Sequence, residues 1–517
     1  MGNLSWIDIG VIAVYFAAMI WMGMYFSRKN KNTEEYFVGG RSYGGWVIGI
    51  SLVGTYISSI TFVSFPADAF KTSWIRFLPN LMLPLCTLIA AYVFLPIFRR
   101  ISGVSAYAYL EHRFGVSIRF YASFAFILTQ MVRLSIMLYL VAILFQEITG
   151  VDPKMCIIIC GIIVAFYTIL GGIDAVIWTD VVQTIILALG SVICLIVIVH
   201  MLPGGLGQVF SVAWEHNKLS FCDFKNGNLV PISWGFSLGE KTGTMMLLYG
   251  LTYWLSAYSS SQLTIQRYYT TKDTHQARKS MWVAAGICIP VWAFYMFLGT
   301  SLYVFFTQFP AIEASEILDG TRKAEHILPF FVVKYLPKGL IGLVIASALA
   351  AAMSSLSASI NSASTSFVVD IYKRFLAKSK NDKHYLKAAL WLSLVSSVIM
   401  IVGAIILVDV KTTTLQDAAS IIASLLSGGL LAIYMIGFFT RLADGRAVIF
   451  GLICTTAFTL WTILAERQML PDWLSVPFDL YYTMIIGNVI MFITTIAASF
   501  VLPRKKPLEA GLTVWNK

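Results

Sequence analysis

Apolar residues run along this chain in blocks of about twenty, and charged residues collect in the gaps between them. A block of that length is what an α-helix needs to cross a hydrocarbon core of about 30 Å, where every backbone N–H and C=O must be satisfied within the segment. The pattern predicts thirteen spanning helices, over residues 6–26, 46–70, 77–98, 118–148, 155–171, 177–201, 242–263, 280–306, 339–370, 385–408, 414–440, 447–465 and 480–502. The first block, Trp6 to Phe26, lacks the basic flank and small-residue cleavage site of a signal peptide, so it is read as a spanning helix. The fold class is therefore all-α and integral to a lipid bilayer, and no soluble domain remains once the blocks are marked.

Composition agrees. Of 517 residues, 58% are hydrophobic and 12% charged, against about 25% charged in a soluble domain. Charge also sets the orientation. With the N-terminus outside, the inner connections hold 24 of the 37 Lys and Arg residues, 12 lie outside, and one, Arg133, falls within a span. That asymmetry favours an N-out, C-in chain with an odd number of crossings, and it accounts for the net charge of +11 without a nucleic-acid partner. The loops over 202–241 and 307–338 are then the extracellular caps. Of seven cysteines, only Cys222 lies outside an apolar block, so no disulfide framework is expected. The six histidines are scattered and form no ligand pair at helical spacing, so nothing in the sequence points to an enzyme or a transition-metal site. The expected location is a bacterial cytoplasmic membrane, crossed many times.

Four places depart from ordinary membrane helix. In 46–70, Gly49, Gly54, Thr55, Ser58, Ser59, Thr61, Ser64 and Pro66 gather at mid-membrane depth. They weaken a helix, and unwinding there frees carbonyls that a cation could take; a kinked, closely packed helix is the other reading. In AAAMSSLSASINS, residues 350–362, the apolar stripe runs through Leu349, Met353, Leu356 and Ile360. Ala351, Ser354 and Ser355 stand at i, i+3 and i+4, so one carbonyl and two hydroxyls can converge. With two carbonyls from an unwound helix they make a five-oxygen site suited to a hard monovalent ion, unless the serines merely bond back along their own helix and pack. Asp180 is an intramembrane carboxylate near a helix start, and Arg133 lies mid-span with about fifteen apolar-rich residues on either side. Such groups are by default functional, with the helix dipole and a structural ion pair as the respective alternatives.

These residues and several motifs resemble the sodium/solute symporter family, relatives of the sodium/glucose cotransporters, over about Trp6 to Leu502. The marks are YFVGGR at 36–41, ISSITF at 57–62, GGIDAVIWTDVVQ at 171–183, IQRYY at 265–269 and the serine-rich stretch at 350–375. The resemblance implies a LeuT-like core. An extra helix and first inner loop (1–45) precede a first five-helix repeat (46–201); a second, inverted repeat (242–440) is followed by two helices and a basic tail (441–517). It implies a principal sodium site at the carbonyls of Gly54, Ile57 and Ala351 and the hydroxyls of Ser354 and Ser355. It also offers a second sodium site from Asp180, Ser58, Ser354 and Ser357, although Ala358 stands where sialic-acid members carry a hydroxyl. Sialic-acid transporters have an arginine matching Arg133, hydroxyls matching Ser58 and Thr61, and an amide matching Asn80. Tyr56 and Arg76 complete the expected substrate set, Tyr56 in place of a smaller hydroxyl residue.

The implied function is sodium-coupled import of a sialic acid by alternating access, with one sodium ion, or two if Asp180 binds another. The bilayer, the ions and the substrate are the expected partners, and no oligomer is required. A neutral sugar or a monocarboxylate is the rival substrate, and a channel or sensor on the same fold is the remoter one. The acid and base by which neutral-sugar members resemble one another, on 77–98 and 280–306, are missing here.

Overall fold

The computed structural model describes residues 4–28, 32–101, 103–225, 228–409, 429–466, 468–504 and 507–515. Nine helices among them are long and apolar enough to cross a bilayer, ten when one bent pair is counted as a span. The first, α1 (Trp6–Ser27), opens with a capping box in which Ser5 and Asp8 satisfy each other's backbone N–H. The other Asp8 oxygen accepts from the N–H groups of Gly339 and Gly342 at 2.8 and 2.6 Å. One buried carboxylate thus also caps the start of α11 (Leu340–Ser366), where the helix dipole favours negative charge.

The bent pair is α2 (Gly45–Tyr56) and α3 (Ser59–Lys71), inclined at 56°. Then come α4 (Ile75–Arg100), the short inner helix α5 (Ala108–Phe114), α6 (Val116–Thr149) and α7 (Pro153–Met201). The sequence pattern separates 155–171 from 177–201, but the structure runs them together in α7. Its 49 residues would reach about 73 Å at 1.5 Å each, more than twice the hydrocarbon core. The element turns at Gly172, whose φ of 57° and ψ of −157° are accessible only without a Cβ.

A larger correction falls on 242–263. There α8 (Gly243–Ser259) stops, Ser260 and Ser261 leave helical geometry, and α9 (Gln262–Thr270) continues inward. After α10 (Thr274–Gln308), α11 is buried residue after residue from Val344 to Ser366, whereas much of α12 (Asp382–Asp409) faces lipid. Of the span expected over 414–440, residues 410–428 lie outside the described residues and α13 (Leu430–Phe439) is the described end. The chain closes with α14 (Gly445–Glu466) and α15 (Tyr482–Val501).

The two expected outer loops carry short helices at Gly205–Glu215, Ile312–Leu318 and Ile327–Tyr335, and a hairpin pairing Cys222 with Pro231. All seven cysteines are free.

Candidate functional site

The site is built around the gap between α2 and α3. Ile57 and Ser58 are extended, and the first backbone bond of α3 is Phe62 N–H to Ser58 O, so the amides of Ser59, Ile60 and Thr61 lie outside its ladder. At the end of α2, Ile57 N–H reaches Val53 O, and the next carbonyls pass out of the helix. One break therefore presents a negative helix end and a positive helix end side by side.

On the α2 side stands α11. An added Cβ on Gly54 would lie 2.7 Å from Ser354 Oγ and 2.9 Å from Thr184 Oγ1, so only glycine lets the two helices come this close. Ser355 Oγ donates across the gap to Thr55 O at 3.3 Å. Ser354 also reaches outward, donating to Asp180 Oδ1 at 2.6 Å. By contrast, Ser357 and Ser362 bond back to the carbonyls of Ser354 and Ser359. Of the two readings of the serine stretch, crossing bonds describe Ser354 and Ser355, and packing describes the serines that follow.

On the α3 side lies a cavity of about 300 Å³, at the low end of the roughly 300–1,000 Å³ of ligand pockets. Both breaks open onto it, through Tyr56 and Ser58 from one and Ser260 and Ser261 from the other. Tyr56 Oη and Thr264 Oγ1, 3.3 Å apart, tie the two breaks together. Every expected substrate residue lines this cavity: Tyr56, Ser58, Thr61, Arg76, Asn80 and Arg133. The two arginines differ. Arg76 Nε sits 2.6 Å from Asp68 Oδ2 on the outer part of α3, and Nη1 donates to Tyr481 Oη at 3.1 Å. Arg133, half-buried, makes no ion pair or hydrogen bond among the described residues, and none of the described residues that line the cavity is an Asp or Glu. Trp254 supplies an aromatic wall, packed against Tyr56 at 5.3 Å and Trp292 at 5.4 Å.

The expected second sodium set is only partly assembled. Asp180 meets Ser354, and Ser357 bonds the Ser354 carbonyl one turn on, while Ser58 stays at the cavity with no bond to either. Asp180 also accepts from Ser51 Oγ at 2.6 Å and pairs with Arg267 Nη2 at 2.9 Å. Arg267, one of the 24 cations that the charge pattern assigns to the inner connections, has a side chain only 1% exposed. Among the described residues no three His, Cys, Asp or Glu side chains cluster as a metal site.

The sequence profile of the sodium:solute symporter family matches residues 36–454. The chain belongs to that family. It is similar to a sodium/sialic acid symporter of Proteus mirabilis, at 30% identity over 98% of this chain and 97% of that one. A sodium/sialic acid symporter of Aliivibrio fischeri is 30% identical over 89% of this chain and 88% of the other. The sodium/glucose cotransporter of Vibrio parahaemolyticus is 27% identical over 96% and 91%. Among solved structures, a Na+-coupled sialic acid symporter in a substrate-bound outward-open state aligns with a TM-score of 0.85, at 28% identity, over 98% of this chain and 99% of that one. A nucleobase-cation symporter, Mhp1, aligns at 0.57 with 13% identity over 90% and 94%, a likeness of fold alone.

In this symporter the α8–α9 break was the feature that sequence reading missed. Its signal, Ser259-Ser260-Ser261 inside an apolar run, was present but short. Arg267 was missed because it lies just beyond the predicted end of the span at 263, where a cation reads as part of the inner connection, whereas the helix runs on to Thr270.

Proposed function

We propose that this symporter couples inward sodium flow to the uptake of an acidic sugar of the sialic acid class. The observation that carries the reading is Arg133: a guanidinium facing a sugar-sized cavity, with no carboxylate to answer it among the described residues, calls for an anion from outside. The free amides of Ser59 to Thr61 and the hydroxyls of Ser58 and Thr61 point to the same class, because a helix N-terminus favours a carboxylate. The sialic acid symporters among its relatives support this, and the lack of Asp or Glu among the described lining residues disfavours a neutral sugar.

Sodium would sit among the carbonyls of Gly54, Ile57 and Ala351 and the hydroxyls of Ser354 and Ser355, all neutral oxygens suited to a hard cation. Bound there it holds α2 against α11 and fixes the gap from which α3 begins, so ion and substrate stabilise the same geometry. Rocking of one repeat (46–201) against the other (242–440) would then expose the site inward. No covalent bond is made or broken in this cycle. We place the protein in the cytoplasmic membrane of a bacterium, with one copy sufficient for the site.

The test is uptake of labelled N-acetylneuraminic acid into proteoliposomes with sodium outside, compared with choline. Sodium-driven accumulation that Arg133→Gln abolishes is the expected result. Accumulation of a neutral sugar instead, or undiminished uptake by the variant, would sink the acid-sugar reading.

A further inference from the structure

Asp180 is completely buried and has three donors: Ser51 Oγ from α2, Ser354 Oγ from α11 and Arg267 Nη2 from α9. Arg267 is engaged as fully, with Nε donating to Ser51 Oγ at 3.0 Å and Nη1 to Leu263 O at 2.9 Å. Carboxylate and guanidinium are therefore a closed neutral pair within hydrogen-bond reach of a sodium ligand. Ser354 has one proton and two lone pairs, and its proton is spent on Asp180. The lone pairs are left for the side where Gly54 lies, 2.7 Å from Ser354 Oγ to a Cβ built on that glycine. A cation placed beside Asp180 would meet the charge of Arg267, 2.9 Å away.

Resting on the proposed principal sodium site, we propose that Asp180 is a positioning residue for that site through Ser354, and that Arg267 supplies the positive charge Asp180 balances, so that a single sodium ion is coupled to each substrate. One sodium with one carboxylate carries no net charge, and transport is electroneutral. A second sodium would make each cycle carry one positive charge. At 100 mV that would change the limiting accumulation ratio about fiftyfold.

Sodium titration of the purified protein by thermal shift needs no substrate, so it is independent of the acid-sugar reading. The expected Hill coefficient is about 1. Asp180→Asn leaves Arg267 unbalanced near the ion and should raise the sodium requirement at least about tenfold. The double variant Asp180→Asn/Arg267→Gln keeps an acceptor for Ser354 without the stray charge and should recover most of the loss, which a merely disrupted fold would not do. A Hill coefficient near 2 overturns the inference by showing a second ion, and a double variant no better than Asp180→Asn overturns it by showing that Arg267 is not the charge Asp180 balances for the site. Uptake of N-acetylneuraminic acid should then be equal at 0 and −100 mV, and potential-driven accumulation would overturn it too. Failure to take up that acid while the sodium titration behaves as stated would condemn the substrate reading alone.

Discussion

Gly54 shows how much a single position contributes. Its missing Cβ lets Ser354 and Thr184 approach a helix end whose carbonyls the ion would use, and a methyl group at 2.7–2.9 Å from two hydroxyl oxygens must push one of them away. Gly54→Ala should therefore raise the sodium concentration for half-maximal stabilisation by roughly tenfold, about 1.4 kcal/mol for one displaced oxygen. Ser354→Ala should do the same or more, since it removes a ligand and leaves Asp180 one donor short. Thermal shift against sodium checks both, and an unchanged midpoint in Gly54→Ala would make the glycine a packing device only. Residues of this kind were legible in the sequence because polar and helix-weakening groups are costly at mid-membrane depth, so Gly54, Ser354, Ser355, Asp180 and Arg133 stood out. What did not show was commitment. Arg76 falls between two spans and Arg133 within one, yet both were expected at the substrate; both line the cavity, and the structure gives Arg76 the partners Asp68 and Tyr481.

Among elements, the half-helix α3 has to hold its direction while its inner end is unwound. Its outer end is fixed by Lys218, whose Nζ donates to the carbonyls of Phe70, Lys71 and Thr72 at 2.7, 3.3 and 2.9 Å and lies 4.1 Å from the Tyr303 ring centre. Three acceptors match the three donors of an ammonium, and a cation at a helix C-terminus complements the dipole. Burial pushes this group from its usual 10.5 down to about 7. Between those values the folded chain binds fewer protons than the unfolded one, so the contribution of Lys218 makes stability rise with pH across that window and level off below about 7. Lys218→Met should lower stability by about 1–3 kcal/mol, through three unpaired carbonyls, and erase that part of the slope. Melting in detergent from pH 6 to 9 checks it; parallel profiles for the two proteins would mean that Lys218 stays charged throughout. The α2–α3 break could be anticipated from its density of Gly, Ser and Thr. The α8–α9 break could not, because three serines in an apolar run are also ordinary helix-packing residues, and what unwinds them is the tertiary setting: Gln262 Nε2 donates to Val104 O, and Ala106 N–H donates to Gln262 Oε1.

At the scale of the whole molecule, the cavity reaches the outer residues Arg76 and Tyr481, while the inner face is held shut by charge. Arg119, at the start of α6, donates to Glu111 on α5 at 2.6 Å and to Asp370, just beyond α11, at 2.7 Å, and Arg374 pairs with the same Glu111. Ser105 Oγ adds a bond to Asp370 at 2.7 Å. The positive-inside count treats inner cations as solvated; the structure uses Arg119, 9% exposed, as a clasp between the helix that carries Arg133 and the helix that carries Ser354. Moving those helices apart on the inner side requires breaking it. Burial on its own would raise the pKa of Glu111, but bonds from Arg374 and Arg119 outweigh that and hold it below the usual 4.5. The contribution of Glu111 is therefore intact above about pH 4.5 and is lost as pH falls through its folded value. Glu111→Gln should imitate that loss at neutral pH and favour the inward-open population by about 1 kcal/mol, roughly fivefold. A cysteine introduced at buried Ser366 reports it, through labelling from the inner side of inverted vesicles by a membrane-impermeant maleimide. Labelling should be about fivefold faster in the Glu111→Gln background and slowed by sodium in both proteins. If the clasp does not gate the inner face, the two proteins will label at the same rate; if it does, the difference between them will also shrink as the pH is lowered, because acid opens the native clasp and has nothing left to open in the variant.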